Sequence, residues 1–180
     1  MDKKIVIKDD KKVRGSVLKG FLKYIEKTWG KGGLDDFSEF ASFNIEKIKE
    51  GEWYGSDLLS KIHCWIAENK GKTALRRGGA HTVKSLGMLS YIVRFLHIER
   101  LLKKAPESYN DAFSYGSVEV KILKNQALIK MKDVVIDEYT CIAWKGVYEG
   151  ALDITNTKGA VEFIKTKDMG GDDCFFIIRW

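Results

Sequence analysis

The chain carries one proline, three cysteines and three histidines in 180 residues. Each scarcity excludes something. A single proline with 17 glycines rules out a collagen-like or low-complexity chain. The cysteines (Cys64, Cys141 and Cys174) are odd in number and form no CxxC pair, which suits a reducing compartment better than a disulfide framework. Long apolar runs are also missing. The opening MDKKIVIKDDKK has no signal-peptide core, and the richest stretch, Leu86 to Leu102, is broken by Arg94, His97, Glu99 and Arg100. A cytoplasmic protein without a membrane span is expected.

Signatures of catalysis are absent too. There is no GxGxxG or GxxxxGK[ST] phosphate loop, no GxSxG elbow and no HExxH helix. The adjacent acids Asp35-Asp36 and Asp172-Asp173 have the spacing of turns and helix starts rather than of an acid/base pair. No catalytic residue is assigned, and the reading leans away from an enzyme. Basic charge is confined as well. Ten Lys/Arg stand against four acids up to Lys31, and the two signs balance beyond it, although the whole chain carries +6. These lysines alternate with apolar residues, so they read as a solvated helix face, and nucleic-acid binding is disfavoured.

What the chain does have is enough apolar and aromatic residue, 44% and 12%, for a real core. KIVIK at positions 4–8 has the look of an edge strand or arm. Val13, Val17, Leu18, Phe21, Leu22, Ile25 and Trp29 recur at helical spacing until Gly30 and Gly32-Gly33 stop them. A short helix over 34–43 follows, carrying Phe37, Phe40 and Phe43. Ser56 is placed as the N-cap of a helix whose stripe is Leu58, Leu59, Ile62, Trp65 and Ile66. Thr73 caps a segment that runs through Arg76, Arg77 and Gly78-Gly79, and a central helix is predicted from Val83 to Lys104. After Pro106 the period becomes two, through Val118, Val120 and Ile122 and then Ala127, Ile129 and Met131, a hairpin about Lys124-Asn125-Gln126. A helix from Cys141 to Leu152 precedes strands at 160–165 and 174–180, joined by a turn at 170–173. Phe175 to Ile178 are apolar on both faces, which places the last strand centrally. The expected fold class is α+β: an N-terminal helical layer on a small antiparallel sheet of about four strands, with a helix between two hairpins, and residues 1–180 as one domain.

The candidate site residues follow. His97 sits where an imidazole would bind a metal or haem iron, or serve as an ordinary helix histidine. Cys141 opens a helix, which lowers a thiol's pKa, or simply fills space. Cys174 packs if alone; beside Cys141 it would offer a soft metal or a ligand a second sulfur. Most aromatics are core, and Trp53, Phe95 and Trp144 are the ones placed at a cleft between helices and sheet.

The order RLLKKAPESYNDAFSYG, VEVKIL, ALIKMKD, CIAWKGVYEGAL and VEFIK…GGDDCFFIIRW resembles a ligand-binding superfamily. That superfamily groups the 4-vinyl-reductase domain, the haem-nitric-oxide-binding (H-NOX) domain and the TRAPP transport subunits. The likeness is carried by Cys141, Gly146 and Gly150 and by the closing Gly171, Asp172, Cys174 and Phe176. GSVLKGFLKYIEKTWG is similar to the family's opening helix. The resemblance implies a sensor or scaffold that encloses a small apolar molecule, with Trp53, Phe95, His97, Cys141, Trp144 and Cys174 as ligand contacts. It also implies two alternatives: a dimerising interaction module like the TRAPP subunits, and a haem-based gas sensor using His97. A homodimer is expected. Two departures bear on cofactors. Lys167-Asp168-Met169 replaces a further cysteine, and the Tyr-x-Ser-x-Arg propionate clamp has no counterpart after the hairpin. The cofactor is therefore left open, with haem not favoured.

Overall fold

A computed structural model describes residues 11–85, 97–134, 137–164 and 173–180. The segment 4–8, most of the 170–173 turn and Phe95 lie outside these residues. Strands β1 (Lys12–Arg14) and β2 (Trp53–Gly55) form a small antiparallel pair. Between them runs helix α1 (Gly15–Ala41), which buries Val17, Leu18, Phe21, Leu22 and Ile25 as its period requires. Gly30, at φ 71°, kinks it. The stretch after the kink turns Phe37 and Ala41 inward, whereas Phe40 falls on the outer face and is exposed.

Helix α2 (Ser56–Lys70) buries the expected stripe, but Ser56 is its first residue and not its cap. Gly55 stands at the cap, and the Ser56 amide donates to the Lys11 carbonyl, tying the helix start to the segment leading into β1. Helix α3 (Lys72–Ser85) runs through Gly78-Gly79 as expected, but it begins at Lys72, so Thr73 lies in its first turn and is not its cap. The predicted helix from Val83 to Lys104 is not continuous. His97 has extended backbone angles (φ −66°, ψ 144°) and precedes a short helix α4 (Ile98–Lys103). Helix α5 (Ala105–Ala112) follows with its proline in the first turn, where a missing N–H costs nothing.

The main sheet has the order β3-β4-β6-β5 and is antiparallel throughout. Its strands are β3 (Ser117–Leu123), β4 (Gln126–Lys132), β5 (Ala160–Ile164) and β6 (Cys174–Arg179). Asn125 takes the positive φ of the first turn, which asparagine tolerates. β6 is central, as its apolar run predicts. Register sets Ile129 opposite Phe176 and Ala127 opposite Ile178, and all of these side chains are buried.

Helix α6 (Glu138–Ile154) crosses from one hairpin to the other. Its cap is Asp137, whose carboxylate accepts from the Thr140 amide at 2.6 Å, so Cys141 lies one turn inside the helix and not at its opening. α6 packs along α3, with residue 72 beside 138 and residue 84 beside 153, so the two run in the same sense. Glycine permits the approach. A Cβ on Gly146 would stand 1.9 Å from the Arg76 carbonyl oxygen, and one on Gly79 would stand 2.1 Å from that of Ala143. Gly150 would meet the Ala80 carbonyl oxygen at 2.7 Å.

Gly146→Ala is expected to lower unfolding stability by roughly 2 kcal/mol, the range of an overpacked core contact. The readout is a lower urea midpoint at unchanged slope. Gly32→Ala, on α1 with open space around it, should instead be neutral or raise stability by up to about 1 kcal/mol.

Candidate ligand-binding site

The helices do not close fully on the sheet, and a cavity of about 250 Å³ is left at their junction. α1 lines it with Val17 and Phe21, α2 with Leu59 and His63, and α3 with Thr82 and Val83. From the other side come Leu101 and Leu102 of α4, Tyr109 and Ala112 of α5, Phe113, and Val118 of β3. α6 supplies Ala143, Trp144, Val147, Tyr148, Ala151 and Ile154 along one face. Spacing explains that face: Trp144, Tyr148 and Ala151 are three and four residues apart, one stripe of a helix. Aromatic rings form a connected group around the space, with Tyr109 stacked on Phe113 and both tilted against Trp144, which in turn tilts against Tyr148.

No Asp, Glu, Lys or Arg occurs among the described lining residues. Polar groups are few. The Thr82 hydroxyl donates to the Gly78 carbonyl within its own helix. Among the lining residues, both ring nitrogens of His63 and the Tyr148 hydroxyl are buried with no hydrogen-bond partner among the described residues. The His63 ring meets the Phe21 ring edge-on at 4.9 Å. Burial depresses its pKa from 6.5 to about 4, against a smaller opposing pull from Asp137. His63 is therefore neutral at physiological pH. Burial likewise holds the phenols of Tyr109 and Tyr148 above their ordinary range.

Of the sequence-predicted site residues, Trp144 lines the cavity. Cys141 and Cys174 meet: their thiols hydrogen-bond across the α6–β6 contact. That bond, with burial, raises the Cys174 pKa, so this thiol stays protonated within the core. Among the described residues no cluster of three or more His, Cys, Asp or Glu stands ready for a metal. Trp53 lies on β2, away from the cavity wall, with the Arg14 guanidinium 4.0 Å over its ring. The same guanidinium donates to the carbonyls of Gly51 and Asp111, so this corner is a clasp between β1, β2 and α5. His97 is exposed at the start of α4 and does not line the cavity. His63 and Tyr148 were missed by motif search. Helical period alone would have found both, since His63 is four residues from Leu59 and Tyr148 four from Trp144.

No protein-family model and no curated sequence matches the chain. Solved structures do. An H-NOX domain studied for the mechanism of H-NOX activation is 15% identical, with 92% of this chain and 95% of that one covered and a TM-score of 0.72. An H-NOX protein from S. oneidensis in the Fe(II)NO ligation state is 15% identical over 92% and 98%, with a TM-score of 0.71. An oxygen-binding H-NOX domain related to soluble guanylate cyclases is 13% identical over 92% and 94%, with a TM-score of 0.71. At such identities the likeness is one of fold. This chain folds as these H-NOX domains do, and of the three arms of the resemblance it is the H-NOX arm whose fold is matched.

The depressed pKa of His63 has a sign that can be measured. Between pH 6.5 and about 4 the unfolded chain binds a proton at this residue and the folded chain does not. Stability that is full above pH 6.5 is lost as pH falls through this window, by roughly 3 kcal/mol for the group. His63→Phe should flatten that part of the profile in urea melts between pH 7 and pH 4. Parallel profiles for the two proteins would remove His63 as the cause.

Proposed function

We propose that this domain is a non-catalytic sensor or scaffold that holds a small apolar molecule between its helices and its sheet. The observation that carries the reading is the cavity of about 250 Å³, with no charged side chain among its described lining residues. An apolar cavity of about 150 Å³ is enough to take up benzene, so this one supports a ligand somewhat larger. Fold likeness to ligand-binding H-NOX domains supports the same reading.

The neighbours' descriptions name haem, oxygen and Fe(II)NO. The described wall of this cavity does not fit a haem. A haem brings two propionates, and buried carboxylates need cations or converging donors; among the described lining residues there is no Lys or Arg. His97, the residue the resemblance offers as axial ligand, is exposed and outside the wall. His63 does face the cavity, but iron-bound imidazoles lean on an acceptor at the other nitrogen, and neither nitrogen of His63 has a partner among the described residues. The volume is also small for a tetrapyrrole, given that a single benzene ring needs about 150 Å³.

Native mass spectrometry of the protein purified from its own host is expected to release a non-covalent small molecule. Ala151→Trp, which fills the cavity from α6, should abolish its retention without unfolding the chain. Haemin added to the full chain should give no absorption band that His97→Ala or His63→Phe removes. A stoichiometric Soret band lost in either variant would overturn the apolar-ligand reading in favour of a haem sensor.

A further inference from the structure

We propose that the outer face of the main sheet docks a second copy of this chain, turned about a twofold axis that runs along the strands. The proposal is independent of what the cavity holds. It starts from β6, where Phe175 to Ile178 are apolar at every position, the pattern of a strand covered on both sides. Phe176 and Ile178 face the helices and are buried. Phe175 and Ile177 alternate with them, lie on the opposite face and stay partly exposed.

Strand register shows what surrounds these two. Residues paired across strands share a face. The central row of the outer face therefore reads Lys121, Leu128, Ile177 and Glu162, from β3 through β4 and β6 to β5. Beside it lie Phe175 and Ile164 on one side and Leu123 on the other. None of these apolar residues belongs to the core cluster, and Leu123 and Ile164 are 37% and 41% exposed. Within the chain the Lys130 ammonium lies over the Phe175 ring, 5.4 Å from its centroid. Contiguous apolar surface of this kind, rimmed by charge, marks an interaction site.

Charge identifies the occupant. The central row passes from a cation at one edge, through two apolar side chains, to an anion at the other. A half-turn about an axis along the strands, between β4 and β6, sets Lys121 over Glu162 of the second copy and Leu128 over its Ile177. Symmetry makes each contact twice. The neighbouring rows then bring Gln126 to Arg179 and Lys130 to the Phe175 ring of the second copy. Glu119 falls at the rim against Ile164 and keeps its ion pair with Lys132. An axis across the strands through the central row would instead stack Lys121 on Lys121 and Glu162 on Glu162, like charges that oppose association. The favoured axis also leaves the two sets of strands nearly aligned, as twisted sheets pack face to face. Four strands of about six residues present roughly 400 Å² in plan. That lies at the low end for a specific interface, so a micromolar dimer is expected.

The test is sedimentation velocity of the full chain over a concentration series reaching about 200 µM, well above a micromolar dissociation constant. The wild type is expected to approach twice the monomer mass. Ile177→Lys puts a charge at the centre of the contact and should weaken the dimer at least about tenfold. Lys121→Glu and Glu162→Lys should each weaken it about tenfold or more, because each sets two pairs of like charges face to face. An equimolar mixture of these two variants restores both opposite-charge pairs, and should dimerise as tightly as the wild type to within about threefold. Both substitutions fall on exposed side chains, and urea midpoints near that of the wild type would show that the variants fold. A wild type that stays monomeric at about 200 µM would overturn the proposal. So would a dimer indifferent to all three substitutions, or charge reversals that weaken the dimer without rescue in the mixture.

Discussion

The close approach of α3 and α6 is the constraint from which the rest of the architecture follows. At Gly79, Gly146 and Gly150 the backbone of one helix occupies the space where a methyl group would sit on the other. Helices this near cannot rotate about their axes without collision, so the contact fixes which residues of each point elsewhere. On α3 those are Thr82 and Val83, and on α6 they are Trp144, Val147 and Tyr148, all of which face the cavity. Ion pairs flank the crossing, Lys72 with Glu138, Arg76 with Glu149 and Lys84 with Asp153. Their side chains are largely solvated, and pairs of this kind contribute about 0–1 kcal/mol each. They select relative placement along the helices; steric contact between backbones sets the distance.

With that distance set, the sheet can cover only part of the helical layer. β6 brings Phe176 and Ile178 against the core, and the Cys141–Cys174 contact joins α6 to the same strand. Farther along, α4 and α5 approach from the other side and leave the space between. The interior is therefore not filled. Burial explains the protonation states on its walls: the imidazole stays neutral and the phenols stay protonated because desolvation penalises their charged forms, with neighbouring charges a secondary influence. No Asp, Glu, Lys or Arg stands among the described lining residues.

Much of this architecture is visible in the one-dimensional pattern. The stripe of α1, its break at Gly30, the stripe of α2 and the period-two strands all reflect burial of one face, which leaves a record in residue spacing. Phe175 to Ile178 likewise announce a strand flanked on both edges. What the pattern leaves out shares a cause, which is that it concerns contacts between distant segments. The reason for Gly78-Gly79 inside a helix is invisible in the spacing, because α1 packs against the first and α6 against the second. The apolar run through residue 97 looks like one helix, yet His97 is extended and α4 restarts after it. Trp53 stands beneath the Arg14 guanidinium because β1–β2 pairing brings the two together, which neighbouring residues in the sequence do not announce. Cys141 and Cys174 lie far apart in sequence, and only the packing of α6 on β6 joins them.

The site separates from the fold at one point, the character of its polar groups. A fold fixes where side chains stand, and the chemistry depends on which side chains they are. Here the helical layer and sheet match H-NOX domains over nearly the whole chain, while the described lining of the cavity holds no Lys or Arg. A buried carboxylate without a cation is unstable, so such a wall gives an anionic group nothing to bind. The same wall holds no Asp or Glu to balance a cation. The absence of both signs among the described lining residues is one electrostatic condition, and it is the side chains rather than the fold that impose it.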